Sequence, residues 1–185
     1  RTIGTGSNIS ANINSYSNYM DYGHWEYKSG NTVYQSWFVS GAETSSSSIP
    51  TSGTATYLGH SLGIASKPLA GQDENTFLID SSVTINADYA AKFVNLQIDA
   101  NSVNNVSNTA SVATDTSVTG RNAYAITGTG TISSGNSMSG GLTLTNSGQQ
   151  GVFSGKFYGP SAENIGGTFT FSGTSLKYTG SFGAA

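Results

Sequence analysis

Apolar and polar residues alternate along most of the chain after position 50. Within residues 76–89, for example, Val83, Ile85 and Ala87 share one parity, and polar side chains take the other. A period of two is typical of a strand with one buried face. Successive segments of this kind are separated by turns rich in Gly, Asn and Ser, which favours antiparallel neighbours.

The pattern predicts eight strands in this part of the chain. They cover residues 53–63, 76–89, 92–100 and 121–132, a strand around 138–144, the two strands of residues 151–172, and a last strand around 176–182. One apolar stripe on each strand and short turns between them indicate an all-β fold, an eight-stranded antiparallel up-and-down β-barrel. Residues 101–120 have a weak pattern, and we predict a long loop there.

An aromatic-rich β-hairpin is predicted ahead of the barrel. Residues 21–29 and 32–40 alternate in the same way, and Gly30 lies in the turn between them. Tyr22 and His24 fall on one face of the first strand. Trp25 and Tyr27 fall on the opposite face.

The remaining N-terminal residues suggest how the chain divides. Residues 1–20 are polar and weakly patterned, so they form either a loose arm or an edge segment. The serine run at 45–48 has the composition of a flexible linker. We therefore expect an N-terminal arm and hairpin at 1–48 and a barrel at 49–185.

A corner between two barrel strands contains several residues with restricted backbones. The corner residues are Phe157, Tyr158, Gly159, Pro160, Glu163, Gly166 and Gly167. Proline cannot donate to a sheet, so the first strand should end at Pro160. Residues 161–164 can form one helical turn, and Gly166 would then end it with a positive φ. We predict a structural corner without catalytic side chains.

Three segments carry a family resemblance. The corner GKFYGPSAENIGG (155–167), the stretch IPTSGTATYLG (49–59) and the ending GSFGAA (180–185) resemble the β-barrel domain of transferrin-binding protein B and related bacterial surface lipoproteins and haemophores. The resemblance implies a β-barrel that binds a host protein or haem. The segment before position 49 is shorter than the handle domain of that family.

Composition and charge narrow the class of protein. Seven Lys and Arg against ten Asp and Glu give a net charge of −3, and no basic stripe is present, so no nucleic-acid partner is predicted. No apolar run approaches the roughly 18 residues of a membrane-spanning helix. The chain has no cysteine. With few charges and many Ser, Thr, Asn and Gly residues, we expect an extracellular or bacterial cell-surface location, anchored to the outer membrane if a lipidated segment precedes Arg1.

No enzyme is predicted. The chain has two histidines, and neither lies near a nucleophile elbow of the form G-x-S-x-G. The carboxylates are scattered apart from Asp73 and Glu74, which gives no acid–base pair. We therefore predict no catalytic residues and no metal site.

His24 is the residue with the clearest candidate chemistry. Haem needs an axial nitrogen or phenolate and a flat apolar slot, and His24 lies among aromatic residues that could provide both. The alternative is that these rings only pack against the barrel. His60 falls on the outward parity of the first barrel strand, and it could be a second axial ligand only if both histidines reached one pocket. The candidate ligand-binding residues are Tyr22, His24, Trp25, Tyr27 and His60.

These observations predict a non-catalytic extracellular or surface binding protein. Its expected role is nutrient capture, with haem or an iron-carrier protein as the partner and haem as the candidate cofactor. The alternative is a structural or adhesive surface protein that self-associates through the edge strands of its N-terminal hairpin.

Overall fold

The strands of the chain form two antiparallel sheets. The computed structural model describes all residues except 1, 7–8, 16, 31, 70–71, 107–113, 116–120 and 134. Within this described part, no helix is long and apolar enough to cross a bilayer. One sheet has four strands, and the other closes on itself as a barrel.

The N-terminal sheet is larger than the predicted hairpin. Its four strands lie in sequence order, and they are β1 (Thr2–Gly6), β2 (Ile9–Ser15), β3 (Met20–Ser29) and β4 (Thr32–Gly41). β3 and β4 confirm the hairpin. Of the two alternatives for residues 1–20, the edge segment agrees with the structure, because β1 and β2 extend the hairpin along β3. A short 3₁₀ turn at Ser46–Ser48 lies in the serine-rich connection.

The barrel confirms the predicted eight-stranded up-and-down architecture. Its strands are β5 (Thr54–Leu69), β6 (Gln72–Asp88), β7 (Phe93–Asn105), β9 (Ile126–Ile132), β10 (Ser137–Leu144), β11 (Gln150–Tyr158), β12 (Asn164–Ser172) and β13 (Lys177–Ala184). Each pairs with its neighbour along the chain, and β13 pairs with β5 to close the ring. β8 (Thr114–Asp115) is a two-residue strand that pairs with the end of β7.

Four predicted boundaries differ from the structure. β5 continues past residue 63, and β6 begins before residue 76. The two strands keep pairing until Leu69 lies opposite Gln72. The predicted loop at 101–120 starts too early, since β7 pairs with β6 as far as Asn105; residues 107–113 and 116–120 of that loop lie outside the described residues. The strand predicted from 121 begins at Ile126, because Arg121 accepts a local turn hydrogen bond from the amide of Tyr124 (3.0 Å).

The corner after β11 has a different backbone from the predicted one. β11 ends at Tyr158, as expected before Pro160. Positive φ occurs at Gly159 (90°) and at Ala162 (63°). Gly166 lies inside β12 and does not end a helical turn, because β12 already begins at Asn164 and pairs with β11 from there. The carboxylate of Glu163 closes the turn by accepting a hydrogen bond from the amide of Ser161 (2.8 Å).

Aromatic rings fill the barrel interior by lying against glycines of neighbouring strands. A Cβ built on Gly140 would lie 2.7 Å from the Phe153 ring, and one on Gly130 would also lie 2.7 Å from that ring. The same close approach joins Gly63 with Tyr178, Gly151 with Phe171, Gly167 with Phe182 and Gly180 with Phe169. The small wall residues therefore make room for large buried rings.

We predict that adjacent glycines of β10 differ sharply in tolerance. Gly140→Ala places a methyl group against the backbone of β9 and the Phe153 ring, whereas a Cβ on Gly141 would meet nothing within 4 Å. Overpacking should lower the free energy of unfolding of Gly140→Ala by about 1–3 kcal/mol. Gly141→Ala is the control and should be neutral or slightly stabilising. Equal stabilities of the two variants in urea denaturation would contradict the packing described here.

Candidate binding surface

The N-terminal sheet packs on the barrel over two glycines. Gly166 of β12 and Gly183 of β13 are paired in register. A Cβ on Gly166 would lie 2.5 Å from Met20 Cε and 2.6 Å from Val39 Cγ1. A Cβ on Gly183 would lie 2.6 Å from Tyr22 Cδ1. Because both positions lack side chains, the buried face of the sheet reaches the barrel wall directly.

Hydrogen bonds hold the same interface. The buried Ser181 hydroxyl donates to the carbonyl oxygen of Gly23 (3.1 Å), which joins β13 to β3. Ser17 Oγ donates to Asn164 Oδ1 (2.9 Å) at the corner. Since these bonds link strand backbones and loops of both sheets, they fix the orientation of the N-terminal sheet.

The corner also holds the segment that connects the two sheets. The amide of Gly159 donates to the carbonyl of Ala42 (2.8 Å), and Thr44 Oγ1 donates to the carbonyl of Gly159 (2.7 Å). Glu43 forms a bridge with Tyr158 and an exposed ion pair with Lys156 (2.6 Å). The corner therefore anchors the segment that connects the N-terminal sheet to the barrel.

The opposite side of the N-terminal sheet presents an exposed aromatic surface. Trp25, Tyr27 and Tyr34 are 42%, 45% and 57% exposed. Tyr27 and Tyr34 are cross-strand partners with ring centroids 6.0 Å apart, and Trp25 lies 6.0 Å from Phe38. Ile9 of β2 is opposite Tyr27 and is also exposed. We call these five residues, Ile9, Trp25, Tyr27, Tyr34 and Phe38, the aromatic face.

His24 lies on the buried side of the sheet. It is 4% exposed, and its ring packs against Trp37 with centroids 4.8 Å apart. Asn12 Nδ2 lies 3.1 Å from His24 Nε2. Because the amide nitrogen can only donate, Nε2 is the acceptor, and the neutral ring carries its proton on Nδ1. Burial lowers the pKa of His24, and the carboxylate of Glu26 partly offsets this effect.

The five predicted ligand-binding residues are distributed over three places. Tyr22 and His24 are buried against the barrel, while Trp25 and Tyr27 belong to the aromatic face. His60 is exposed on the outer wall of β5, where it and Tyr22 line a crevice of about 240 Å³. Alternation in β3 separates the two pairs, so the five residues do not form one pocket.

Three members of the aromatic face were absent from the predicted set. Tyr34 and Phe38 could have been included, because pairing across the turn at Gly30 places Tyr34 opposite Tyr27 and Phe38 opposite Gly23. Ile9 gave no usable signal, since residues 1–20 lack the strong alternation that would have identified β2.

Two open clefts lie between β4 and the barrel, on either side of Trp37. Their volumes are about 380 and 550 Å³, and both contain Ser154 and Thr168. No histidine is among the described residues that line them. The described part of the chain also contains no cluster of three or more His, Cys, Asp or Glu residues that could hold a metal ion.

Burial raises the pKa of three tyrosines near the corner. Tyr57 and Tyr89 share a short hydrogen bond inside the barrel, and Tyr57 also donates to the carbonyl of Ala162 (2.7 Å). Burial raises the pKa of both tyrosines. It also raises the pKa of Tyr158 to about 12, with a smaller contribution from Glu43. These phenols stay protonated at neutral pH, and the hydrogen bond from Tyr57 to Ala162 supports the packing of the corner on the barrel.

Comparison with known proteins assigns the family. The profile described as "C-lobe and N-lobe beta barrels of Tf-binding protein B" matches residues 49–185. The chain belongs to the family of transferrin-binding protein B β-barrels. No curated protein sequence is significantly similar to the chain.

Solved structures of transferrin-binding protein B share its fold. A double mutant of the protein from Haemophilus parasuis Hp5 matches with a TM-score of 0.71 and 22% identity, over 99% of this chain and 36% of that one. The isotype 1 protein from serogroup B Neisseria meningitidis matches with a TM-score of 0.61 and 22% identity, over 100% of this chain and 34% of that one. The N-lobe domain of lactoferrin-binding protein B from Moraxella bovis matches with a TM-score of 0.55 and 13% identity, over 98% of this chain and 81% of that one. The chain thus spans about a third of the two transferrin-binding proteins.

We predict that His24 makes the stability of this transferrin-binding protein B-type chain depend on pH. A histidine whose pKa is lowered on folding binds protons more readily in the unfolded state, so stability falls as pH drops below the ordinary value of about 6.5. The loss is at most about 1.4 kcal/mol per pH unit. Urea denaturation at pH 7.5 and 5.5 should show a smaller pH effect in His24→Gln than in the unmodified protein. His60→Gln is the control and should keep the full effect; an unchanged effect in His24→Gln would disprove the assignment.

Proposed function

We propose that this chain is a non-catalytic binding module of the bacterial cell surface that captures an iron-carrier protein of the transferrin class through its aromatic face. The observation that carries the proposal is the cluster of exposed Trp and Tyr rings on the outer side of the N-terminal sheet. Monomeric proteins rarely expose such a continuous apolar patch without a partner.

The chemistry of the aromatic face suits a protein partner. Trp and Tyr are the residues that most often dominate protein interfaces, because each buries a large area with few rotatable bonds. The rings lie on paired strands, so they need little ordering upon binding. Ser36 and Ser40 are exposed on the same face of β4 and provide part of the polar rim that such interfaces have.

The family adds support for the class of partner. The solved relatives are named for binding transferrin or lactoferrin. At identities of 13–22%, these relatives support the fold of this chain, whereas the transferrin-class partner is our proposal. The surface location rests on the low charge and the Ser, Thr, Asn and Gly-rich composition of the sequence, together with the family resemblance.

Haem is the second candidate partner, and the geometry gives it less support. His24 is buried, and its Nε2 lone pair accepts a hydrogen bond from Asn12. An iron atom would have to displace Asn12 and separate the N-terminal sheet from the barrel. His60 is exposed, so it is the more accessible axial nitrogen, and haem would bind near Tyr22 and His60.

The partner can be tested by measuring equilibrium binding of purified iron-loaded transferrin and lactoferrin to the chain. Trp25→Ala and Tyr34→Ala should each weaken binding at least tenfold, since truncation of a central aromatic residue costs about 1.4 kcal/mol or more. Leu58→Ala and Val152→Ala are matched controls, because both are large exposed apolar residues of the barrel wall. They should bind like the unmodified protein.

Two results would count against the proposal. If neither carrier protein binds, or if the barrel-wall variants weaken binding as much as the aromatic-face variants, the aromatic face is not the site. A haem titration separates the second candidate: a Soret shift that persists in Trp25→Ala and is lost in His60→Ala would assign haem instead.

The alternative of a self-associating adhesive protein rests on the open edge of β4. β4 ends the N-terminal sheet, and its unpaired backbone groups could pair with a second copy. A concentration-dependent dimer in sedimentation experiments that is lost upon substitution of Ser36 by Pro would favour this role over partner capture.

A further inference from the structure

Three hydroxyl groups are buried inside the barrel without a hydrogen bond of normal geometry. Ser61 is 1% exposed, Ser81 is 0% exposed and Tyr178 is 1% exposed. None of their oxygen atoms has a hydrogen-bond partner among the described residues. Buried hydroxyls almost always have partners, because an unpaired one costs roughly 1–3 kcal/mol. Three together in one interior need an explanation.

The strand pairing brings these groups to one point. Ser61 of β5 and Ser81 of β6 are direct cross-strand partners, and both point into the barrel. Tyr178 of β13 starts opposite Ala65, and its ring extends along β5 over Gly63, where a Cβ would lie 2.6 Å from Tyr178 Cε2. The ring therefore points from Ala65 toward Ser61.

Aromatic rings surround the ring of Tyr178 inside the barrel. The rings of Tyr124, Phe169 and Phe171 lie 5.1–6.1 Å from its ring centroid. The Ser81 hydroxyl lies close enough to lower the pKa of Tyr178 against the larger rise that burial causes. The tyrosine hydroxyl therefore lies near Ser81, the cross-strand partner of Ser61.

Ser61 and Ser81 are direct cross-strand partners, yet neither hydroxyl has a hydrogen-bond partner of normal geometry among the described residues. We propose that Ser61, Ser81 and Tyr178 bind one internal water molecule inside the barrel. A water that bonds three otherwise unpaired buried groups is the usual arrangement in globular proteins, and three polar partners are within the two to four that it needs.

The residues of the wall around this site are small. β5 has Ser61 and Gly63 on its inner face, and the pairing of β6 with β7 shifts between Asp80 and Ser81, because β7 has an extra residue, Asn101, at this point. The Tyr178 ring covers Gly63, and the small side chains of Ser61 and Ser81 lie beyond it, beside the bulge in β7. Any larger ligand would have to displace the buried ring of Tyr178.

The direct test is a crystal structure of the unmodified chain at atomic resolution. We expect one ordered water within hydrogen-bond distance of Ser61 Oγ, Ser81 Oγ and Tyr178 Oη. An interior in which the three hydroxyls bond directly to one another, with no density between them, would overturn the proposal.

Solution measurements provide a second test. Oxygen-17 magnetic relaxation dispersion counts internal waters with long residence times, and the double variant Ser61→Ala/Ser81→Ala should lose one of them. The control is Ser139→Ala/Ser154→Ala, an exposed cross-strand pair on β10 and β11, which should lose none. If the double variant does not fold, Tyr178→Phe serves instead, with an increased exchange rate of the water as the expected result. Identical dispersion in the unmodified and variant proteins would contradict the site.

Discussion

Large side chains packed against bare glycine backbone determine how this protein is assembled. Inside the barrel, the Phe153 ring occupies the space that side chains at Gly130 and Gly140 would take. An eight-stranded barrel has just enough interior for side chains to fill it. Bulky residues on every strand would not fit there, and small residues on every strand would leave voids. Pairing each ring with a glycine on the next strand meets both limits.

The same device joins the N-terminal sheet to the outside of the barrel. Gly166 and Gly183 leave the outer surface of the barrel without side chains at this point, and Met20, Tyr22 and Val39 pack against it. Because these apolar side chains use one face of the sheet, the alternation of β3 and β4 directs Trp25, Tyr27, Tyr34 and Phe38 to the other face. The display of the aromatic face therefore follows from the way the sheet is docked, and so does the burial of His24. The function proposed for this member of the family rests on that arrangement.

Much of the fold could be predicted from alternation, and the misses have physical causes. Val83 to Tyr89 show a clear period of two, so their strand was found. Residues 9–15 contain few apolar side chains, and only their pairing with β3 makes them a strand. The sequence predicts that Gly166 ends a turn, because glycine permits a positive φ. Its actual role is close approach, which depends on residues about 130–150 positions earlier in the chain. The candidate ligand residues of β3 are close together in the sequence, which suggests one cluster. Successive residues of a strand point to opposite faces, so Tyr22 and His24 lie on one side and Trp25 and Tyr27 on the other.

The most direct measurement is a double-mutant cycle at the docking interface. Both tryptophans of the chain, Trp25 and Trp37, lie in the N-terminal sheet, so their fluorescence reports its unfolding in urea. Gly183→Ala should lower the free energy of unfolding by about 1–3 kcal/mol when Tyr22 is present. It should cost less than half as much in the Tyr22→Val background, because the shorter side chain leaves room for the added methyl group. An equal loss in both backgrounds would contradict the central claim that glycine is needed at this position to receive the ring.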